Sequence, residues 1–370
     1  MTRDQLIRLR LNNQQLTHPS FTKPADVVRW FGAIQSQDLP GSLCAIGLRM
    51  RHATEDLVER AIASRSIVRS WPMRRTIHCM AAEDARWMIG LLAPRGIDRM
   101  KPYHRKMGIT DDHLRRAGKV FESALAGDQQ LTRAELYREL NASGVRTEAP
   151  NGLALGIHLI CHWAQAGLIC IAARKGKQPT FTLLEGWTPR GRKLSGDDAF
   201  AELARLYFQS HGPATVKDFA WWAGLTMKEA QRALLLAADL LKSGTIDGVE
   251  SWQMRKSPAA PAGPLPVLLL PPFDEYTVAY ADRAAVLTSI SYGLAANLLI
   301  SGRIAGTWKR TLLAGDRVAV TFNLLRILNK KEQAGLALAA ERYAAFIGKK
   351  LVGETPNYLH PRISKGSGQR

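Results

Sequence analysis

One order of elements recurs along this chain: helix-like stretches with a 3.6-residue apolar period give way to a short hairpin with a two-residue period, three times over. In the first unit, Val27, Val28, Trp30, Phe31 and Ile34 mark the apolar face of a helix read over 24–37. A second helix is read around Leu43–Met50, and a third over Glu55–Ala63 behind Thr54, a good N-cap residue. The period then changes, and residues 67–80 read as two strands joined at Trp71–Arg74. Pro72 is tolerated there, in the turn or at an edge, because no ladder N–H is needed. Three helices followed by a hairpin is the order of a winged helix, and this wing would carry Arg69, Arg74 and Arg75.

The order returns twice. Residues 81–128 read as mostly helical and basic, with a cationic run at Lys101, His104, Arg105 and Lys106. Thr132 and Glu135 then have the spacing of a capping box opening a helix over Arg133–Leu140. Leu153, Ile157, Ile160, Cys161 and Ala164 mark another helix, which Gly167 ends. A hairpin over 168–184 follows, with Arg174, Lys175 and Lys177 at its tip. In the third unit Phe200–His211 leads to Val216–Ala223 behind Thr215, a Gly224 turn, and Met227–Ala238 behind Thr226. Short turn and caps together make a helix-turn-helix signal. Its hairpin is read as Gly244–Asp247 and Gly248–Met254.

A Pro/Ala/Gly linker at 257–264 separates these units from a region with strand-like Arg303–Trp308 and Arg317–Asn323, a helix near Lys331–Phe346, and a tail, His360–Arg370, expected to be disordered. The expected fold is therefore mainly α with small β-hairpin wings: three tandem winged-helix units plus a C-terminal β-rich module. The divisions fall at 1–93, 94–195, 196–256 and 257–370.

Charge narrows the partner. Lys and Arg number 51 against 32 Asp and Glu, a net +19, which favours a polyanion, nucleic acid first. No apolar run reaches transmembrane length, and the N-terminus lacks a signal-peptide core, so a cytoplasmic, nucleoid-associated protein is expected. Cys44, Cys79, Cys161 and Cys170 have no metal spacing and read as buried thiols. Neither a His-Glu-x-x-His nor a phosphate-binding glycine loop occurs, so neither metal nor nucleotide cofactor is expected.

Within the first unit, Ile34-Gln35-Ser36-Gln37-Asp38 precedes Leu39-Pro40-Gly41. Pro40 and Gly41 stop or redirect the helix, leaving Gln35 and Gln37 near its terminus. A carboxamide both donates and accepts hydrogen bonds, so the pair can hold a water or read a base edge, though it accepts a proton poorly. A solvated polar helix end is the plainer reading of the same residues.

Three segments together resemble the winged-helix DNA glycosylases of the AlkZ and YcaQ type. Gln35-Ser36-Gln37 matches that family's Gln-x-Gln or Gln-x-Asp pair, with Ser36 where an apolar residue is usual. Arg69, Trp71, Arg74, Thr76 and His78 match a downstream Arg-x-Trp-x-x-Arg-x-Thr-x-His segment. Leu269–Tyr276 and Gly306–Arg310 match a Leu-Leu-Pro-x-Phe-Asp-Glu-Tyr segment and the Gly-x-Trp-Lys-Arg that follows it. The resemblance implies a monofunctional glycosylase without cofactor that excises cationic N7-alkylated purines from double-stranded DNA. It extends to interstrand crosslinks and, in the Gln-x-Gln branch, to resistance against an alkylating natural product. It implies Gln35 and Gln37 as catalytic. The net charge and the wing-like hairpins put phosphate contacts on Arg74, Arg75, Arg174, Lys175 and Lys177, further DNA contacts are expected from Arg69, His78, Lys309 and Arg310 of the matched segments, and a monomer is expected.

Two other readings compete. A non-enzymatic winged-helix transcription regulator accounts for the charge and the helix-turn-helix, but not for the glutamine pair. An enzyme using Asp38, or Asp274 and Glu275, as acid or base ranks third. Asp38 can equally cap the helix that follows it.

Overall fold

The computed structural model describes residues 1–188, 191–259, 262–283 and 294–358, with backbone alone for 354–358. The tail at His360–Arg370 and part of the 257–264 linker lie outside the described residues. The chain is mainly helical, with sheets that are antiparallel apart from one parallel pair in the C-terminal sheet. The strands in chain order are β1 (Ala33–Gln35), β2 (Ile67–Met73), β3 (Thr76–Ala81), β4 (Leu131–Thr132), β5 (Ile169–Lys175), β6 (Gln178–Leu183), β7 (Leu241–Ile246), β8 (Val249–Met254), β9 (Leu268–Leu270), β10 (Asn297–Ile300), β11 (Arg303–Leu313), β12 (Arg317–Leu324) and β13 (Lys350–Tyr358).

The first helix of the glutamine region is shorter than its apolar period suggests. It runs Pro24–Phe31 and ends at Gly32, whose φ is 77°. A side chain at Gly32 would be strained by that φ and would press on Leu206, whose Cδ1 lies 3.2 Å from a Cβ built there. Beyond it the chain is extended. Ala33, Ile34 and Gln35 form β1 and pair antiparallel with Met80, Cys79 and His78 of β3. Gln35 therefore ends a strand and Gln37 lies in the bend just past it, neither on the end of a helix read to residue 37. Ile34 still reaches the core, because a buried sheet face takes it as readily as a helix face does.

The first hairpin turns at Arg74 and Arg75, both at positive φ (51° and 60°), the geometry of a tight two-residue turn. Trp71 and Pro72 lie within β2, not in the turn. The register shifts between Ser70 and Met73, and the irregularity accommodates a proline without a ladder N–H. Nor is this hairpin a free wing. Arg69 of β2 pairs with Ile171 of β5, and the two hairpins join in one sheet ordered β1-β3-β2-β5-β6-β4.

The third unit follows its sequence signals closely. Thr215 and Thr226 each complete a capping box, with Asp218 and Glu229, and Gly224 makes the left-handed turn between the helices Val216–Ala223 and Met227–Leu236. The hairpin β7–β8 stands beside them as a separate pair.

The C-terminal strands form a sheet ordered β13-β12-β11-β10-β9. The helix Lys330–Phe346, capped by Asn329, crosses from β12 to β13, which pairs parallel to β12. This sheet shares one core with the glutamine unit: Val27, Phe31, Ile34 and Leu43 pack with Leu269, Trp308, Phe322 and Phe346. Fully burying side chains of this size contributes about 1.5–3 kcal/mol each, so the first and last parts of the chain hold each other in place. The third unit packs on the other face of β1 and β3, where Ala33 and Met80 meet Leu206 and Tyr207.

Candidate active site

The strand pairing continues past β1. Ser36 donates its N–H to the Ile77 carbonyl at 2.7 Å, and the Ile77 N–H is received by Gln37 Oε1 at 3.2 Å. Gln35 ends β1, Ser36 extends its pairing to Ile77, and Gln37 lies in the bend beyond. Gln35 is 8% exposed and Gln37 is open to solvent, so the pair steps from the edge of the core to the surface. Ser36 is wholly buried. Its Oγ bonds Ser42 Oγ at 2.8 Å and receives Arg69 Nε at 2.9 Å, while Arg69 Nη2 donates to the Ser36 carbonyl at 3.0 Å. Arg69 is thus a buried anchor for the glutamine strand, not the phosphate contact read from the hairpin.

His78 stands directly opposite Gln35. It too is completely buried, which removes it from direct contact with DNA. Its Nδ1 lies 2.9 Å from the Thr76 carbonyl, which can only accept, so Nδ1 carries the proton and Nε2 faces Arg74 Nη2 at 3.4 Å. Burial, and then the Arg74 charge, bring the His78 pKa down to about 4, so the ring is neutral at physiological pH. Arg74 is half-buried against Gly224, and its Nε has no partner among the described residues. Arg75 turns the other way, exposed, with its guanidinium on Met100 Sδ.

Behind the strand lie two buried carboxylates. Asp274 receives Arg49 Nη1 and Nη2, each at 2.9 Å, and caps its own turn through the Tyr276 N–H. Glu275 Oε1 receives the backbone N–H of Gln35 at 2.7 Å, and its Oε2 receives Trp222 Nε1 at 3.0 Å. His211 Nε2 lies 3.4 Å from Oε2 but off the line of a hydrogen bond, so that contact is electrostatic. Asp38 caps the helix Leu39–Leu48 through the Gly41 N–H at 2.9 Å. Asp274 and Asp38 are therefore occupied in holding structure.

The family model described as DNA glycosylase AlkZ-like matches residues 28–346. The chain belongs to the AlkZ-like DNA glycosylases. It is 23% identical over 323 residues to an interstrand DNA cross-link repair glycosylase of Streptomyces sahachiroi, covering 82% of this chain and 87% of that one. Its fold is similar to the solved Streptomyces sahachiroi DNA glycosylase AlkZ, with a TM-score of 0.78 and 20% identity over 97% of this chain and 100% of the other.

In this member of the AlkZ-like family the segments that suggested the resemblance converge. The hairpin 67–81 flanks the glutamine strand on one side, and Glu275 supports it from behind. Lys309 and Arg310 line a cavity of about 290 Å³ with Asp38, Pro40, Gly41 and Tyr343, immediately after Gln37. Lys309 is exposed, whereas Arg310 is half-buried and donates to the Tyr343 hydroxyl. The second hairpin lies farther off, and two of its cations are paired, Arg174 with Glu59 and Lys175 with Glu135. Lys177 is exposed at the turn and makes no ion pair among the described residues. No group of three side chains able to hold a metal stands together among the described residues. No described helix is long and apolar enough to cross a membrane.

Sequence reasoning missed Arg49, His211 and Trp222 as parts of this site. Asp274 and Glu275 were visible in their motif, but nothing in the sequence linked them to Gln35, some 240 positions away.

Proposed function

We propose that this chain is a monofunctional DNA glycosylase of the Gln-x-Gln branch that hydrolyses the N-glycosidic bond of cationic N7-alkylated purines in double-stranded DNA, acting as a monomer. The observation that carries the reading is the pair of carboxamides at and just past the end of β1, one at the core edge and one in the open. Alkylation at N7 makes the purine a cation, already a good leaving group. The C1′–N9 bond breaks with its electron pair going to the purine, which departs neutral. The sugar gains oxocarbenium character until water adds at C1′ and gives its proton to solvent. Gln35 and Gln37 need only place that water and the nucleotide, a task of orientation and electrostatics. A neutral base would need stronger acid assistance than a carboxamide supplies.

The name of the Streptomyces relative, an interstrand cross-link repair glycosylase, supports extending the substrate to crosslinked purines. A base joined to the opposite strand cannot swing freely into an enclosed pocket, the usual route for excision enzymes. Gln37 on an open surface suits such a substrate. The role is then DNA repair, including self-resistance where the host makes a bifunctional alkylating agent. DNA contacts fall to the exposed cations Arg75, Lys177 and Lys309 and to the half-buried Arg74 and Arg310, with Arg174 and Lys175 able to exchange their acidic partners for phosphate.

The test is an abasic-site assay on a duplex with a single N7-methylguanine. Alkali-labile cleavage at that position is the expected result. Intact lesions together with tight binding of one DNA sequence would replace this reading with that of a regulator.

A further inference from the structure

We infer that Glu275 is a positioning residue of the reaction: its carboxylate fixes the backbone of Gln35 and supplies, from directly behind the glutamine strand, the fixed negative charge that favours positive charge building up on the sugar. The inference rests on the glycosylase reading above and concerns the same site.

The geometry is specific. Glu275 is wholly buried, and each of its oxygens receives a hydrogen bond, one from the Gln35 N–H at 2.7 Å and one from the Trp222 indole at 3.0 Å. The carboxylate thus ties the glutamine strand to the first helix of the helix-turn-helix. Its place in the chain is also held firmly. Phe273 has φ 61°, a conformation that a bulky side chain rarely adopts, and Asp274 is clamped at two points by Arg49. Strain kept beside a doubly anchored residue indicates a backbone path set by where Glu275 must point.

The surroundings keep the group charged. Burial alone would raise the Glu275 pKa, but the groups around it, His211 foremost and Arg74 beyond it, outweigh burial and hold it below the ordinary glutamate range. A carboxylate of this kind cannot serve as the general acid at neutral pH. It can serve as a pre-oriented charge. Charges set in place before the reaction cost no reorganisation as it proceeds, and inside a protein they act more strongly than in water. Because the carboxylate acts through the Gln35 peptide and through space, it needs no contact with DNA. The neutral carboxamides thereby gain the electrostatic help that they cannot give themselves.

The test compares full-length wild type, Glu275→Gln and Glu275→Asp in single-turnover excision of N7-methylguanine from duplex DNA, with DNA affinity and thermal melting measured alongside. Gln keeps the length and can accept the Gln35 N–H, but loses the charge. Asp keeps the charge and shortens the reach. The charge account expects Glu275→Gln to lose about 10- to 100-fold in excision rate at unchanged DNA affinity, with Asp the more active of the two. A purely structural role expects the reverse order, and that order, or a Gln variant equal to wild type, overturns the inference while leaving the glycosylase reading intact. Inactive wild type overturns both. Should the Gln variant fail to fold, Glu275→Asp decides alone: it keeps the charge and shortens the reach. Excision within a few-fold of wild type supports the inference, and a loss as deep as that of Gln35→Ala overturns it.

Discussion

Gln35 and His78 face each other across an antiparallel pair, the one reaching the edge of the core and the other sealed within it. The relationship gives the histidine a structural part. Its Nδ1–H is spent on the Thr76 carbonyl, and it stays neutral between Gln35 and Arg74.

A pH dependence of stability follows. The His78 pKa falls from the ordinary histidine value of 6.5 in the unfolded chain to about 4 in the fold, so between those values the unfolded state binds more protons. Stability contributed by the neutral ring is complete above pH 6.5 and is lost as pH falls towards 4, a change of order 3 kcal/mol. Urea unfolding at pH 7 and pH 4.5 should show a clear loss for wild type and a smaller one for His78→Gln. His104, also brought down to about 4 by burial, keeps part of the slope in the variant. Equal losses in the two proteins would contradict this account of His78.

Ser36 predicts a context effect. Replacing it by Val leaves the buried Arg69 guanidinium without its hydroxyl partner. The cost should be about 1–3 kcal/mol in chemical denaturation, the penalty for an unsatisfied buried donor. Combining Ser36→Val with Arg69→Met should recover much of that loss. A single Ser36→Val variant as stable as wild type would show that the node carries no weight.

The cations should separate by exposure. Alanine at Arg75, Lys177 or Lys309 should each flatten the plot of log K against log salt for duplex binding by roughly 0.9 where the cation meets a phosphate. Arg69→Met should leave that slope unchanged, since its guanidinium is buried on Ser36. Binding indifferent to salt from dilute to physiological buffer would remove the electrostatic account altogether.

Much of the helical order was legible because it is written locally. Thr132, Thr215 and Thr226 announce their helices through capping boxes, and Gly224 its turn, within four residues of sequence. The glutamine strand was not legible. Ile34 continues the apolar period of Val27 and Phe31, and only the pairing with β3, more than 40 residues away, makes the segment extended. The hairpin's own sequence likewise could not show that the third unit packs over Ala33 and Met80 on that sheet. The burial of Arg69 and the support from Glu275 depend on contacts tens to hundreds of residues apart, beyond the reach of any local pattern.

The central claim is that Gln35 and Gln37 position water and lesion. The most direct measurement is single-turnover excision of N7-methylguanine by Gln35→Ala, Gln37→Ala and Gln37→Asp, with DNA affinity measured in parallel. Each alanine variant should lose about 10- to 1000-fold in rate, the range for a lost positioning or charge-stabilising contact, with affinity nearly unchanged. Gln37→Asp should retain activity on this monoadduct, because an added carboxylate can stabilise the oxocarbenium ion. Uracil should remain untouched by all of them. Alanine variants that excise as fast as wild type would contradict the account and place the chemistry elsewhere in the molecule.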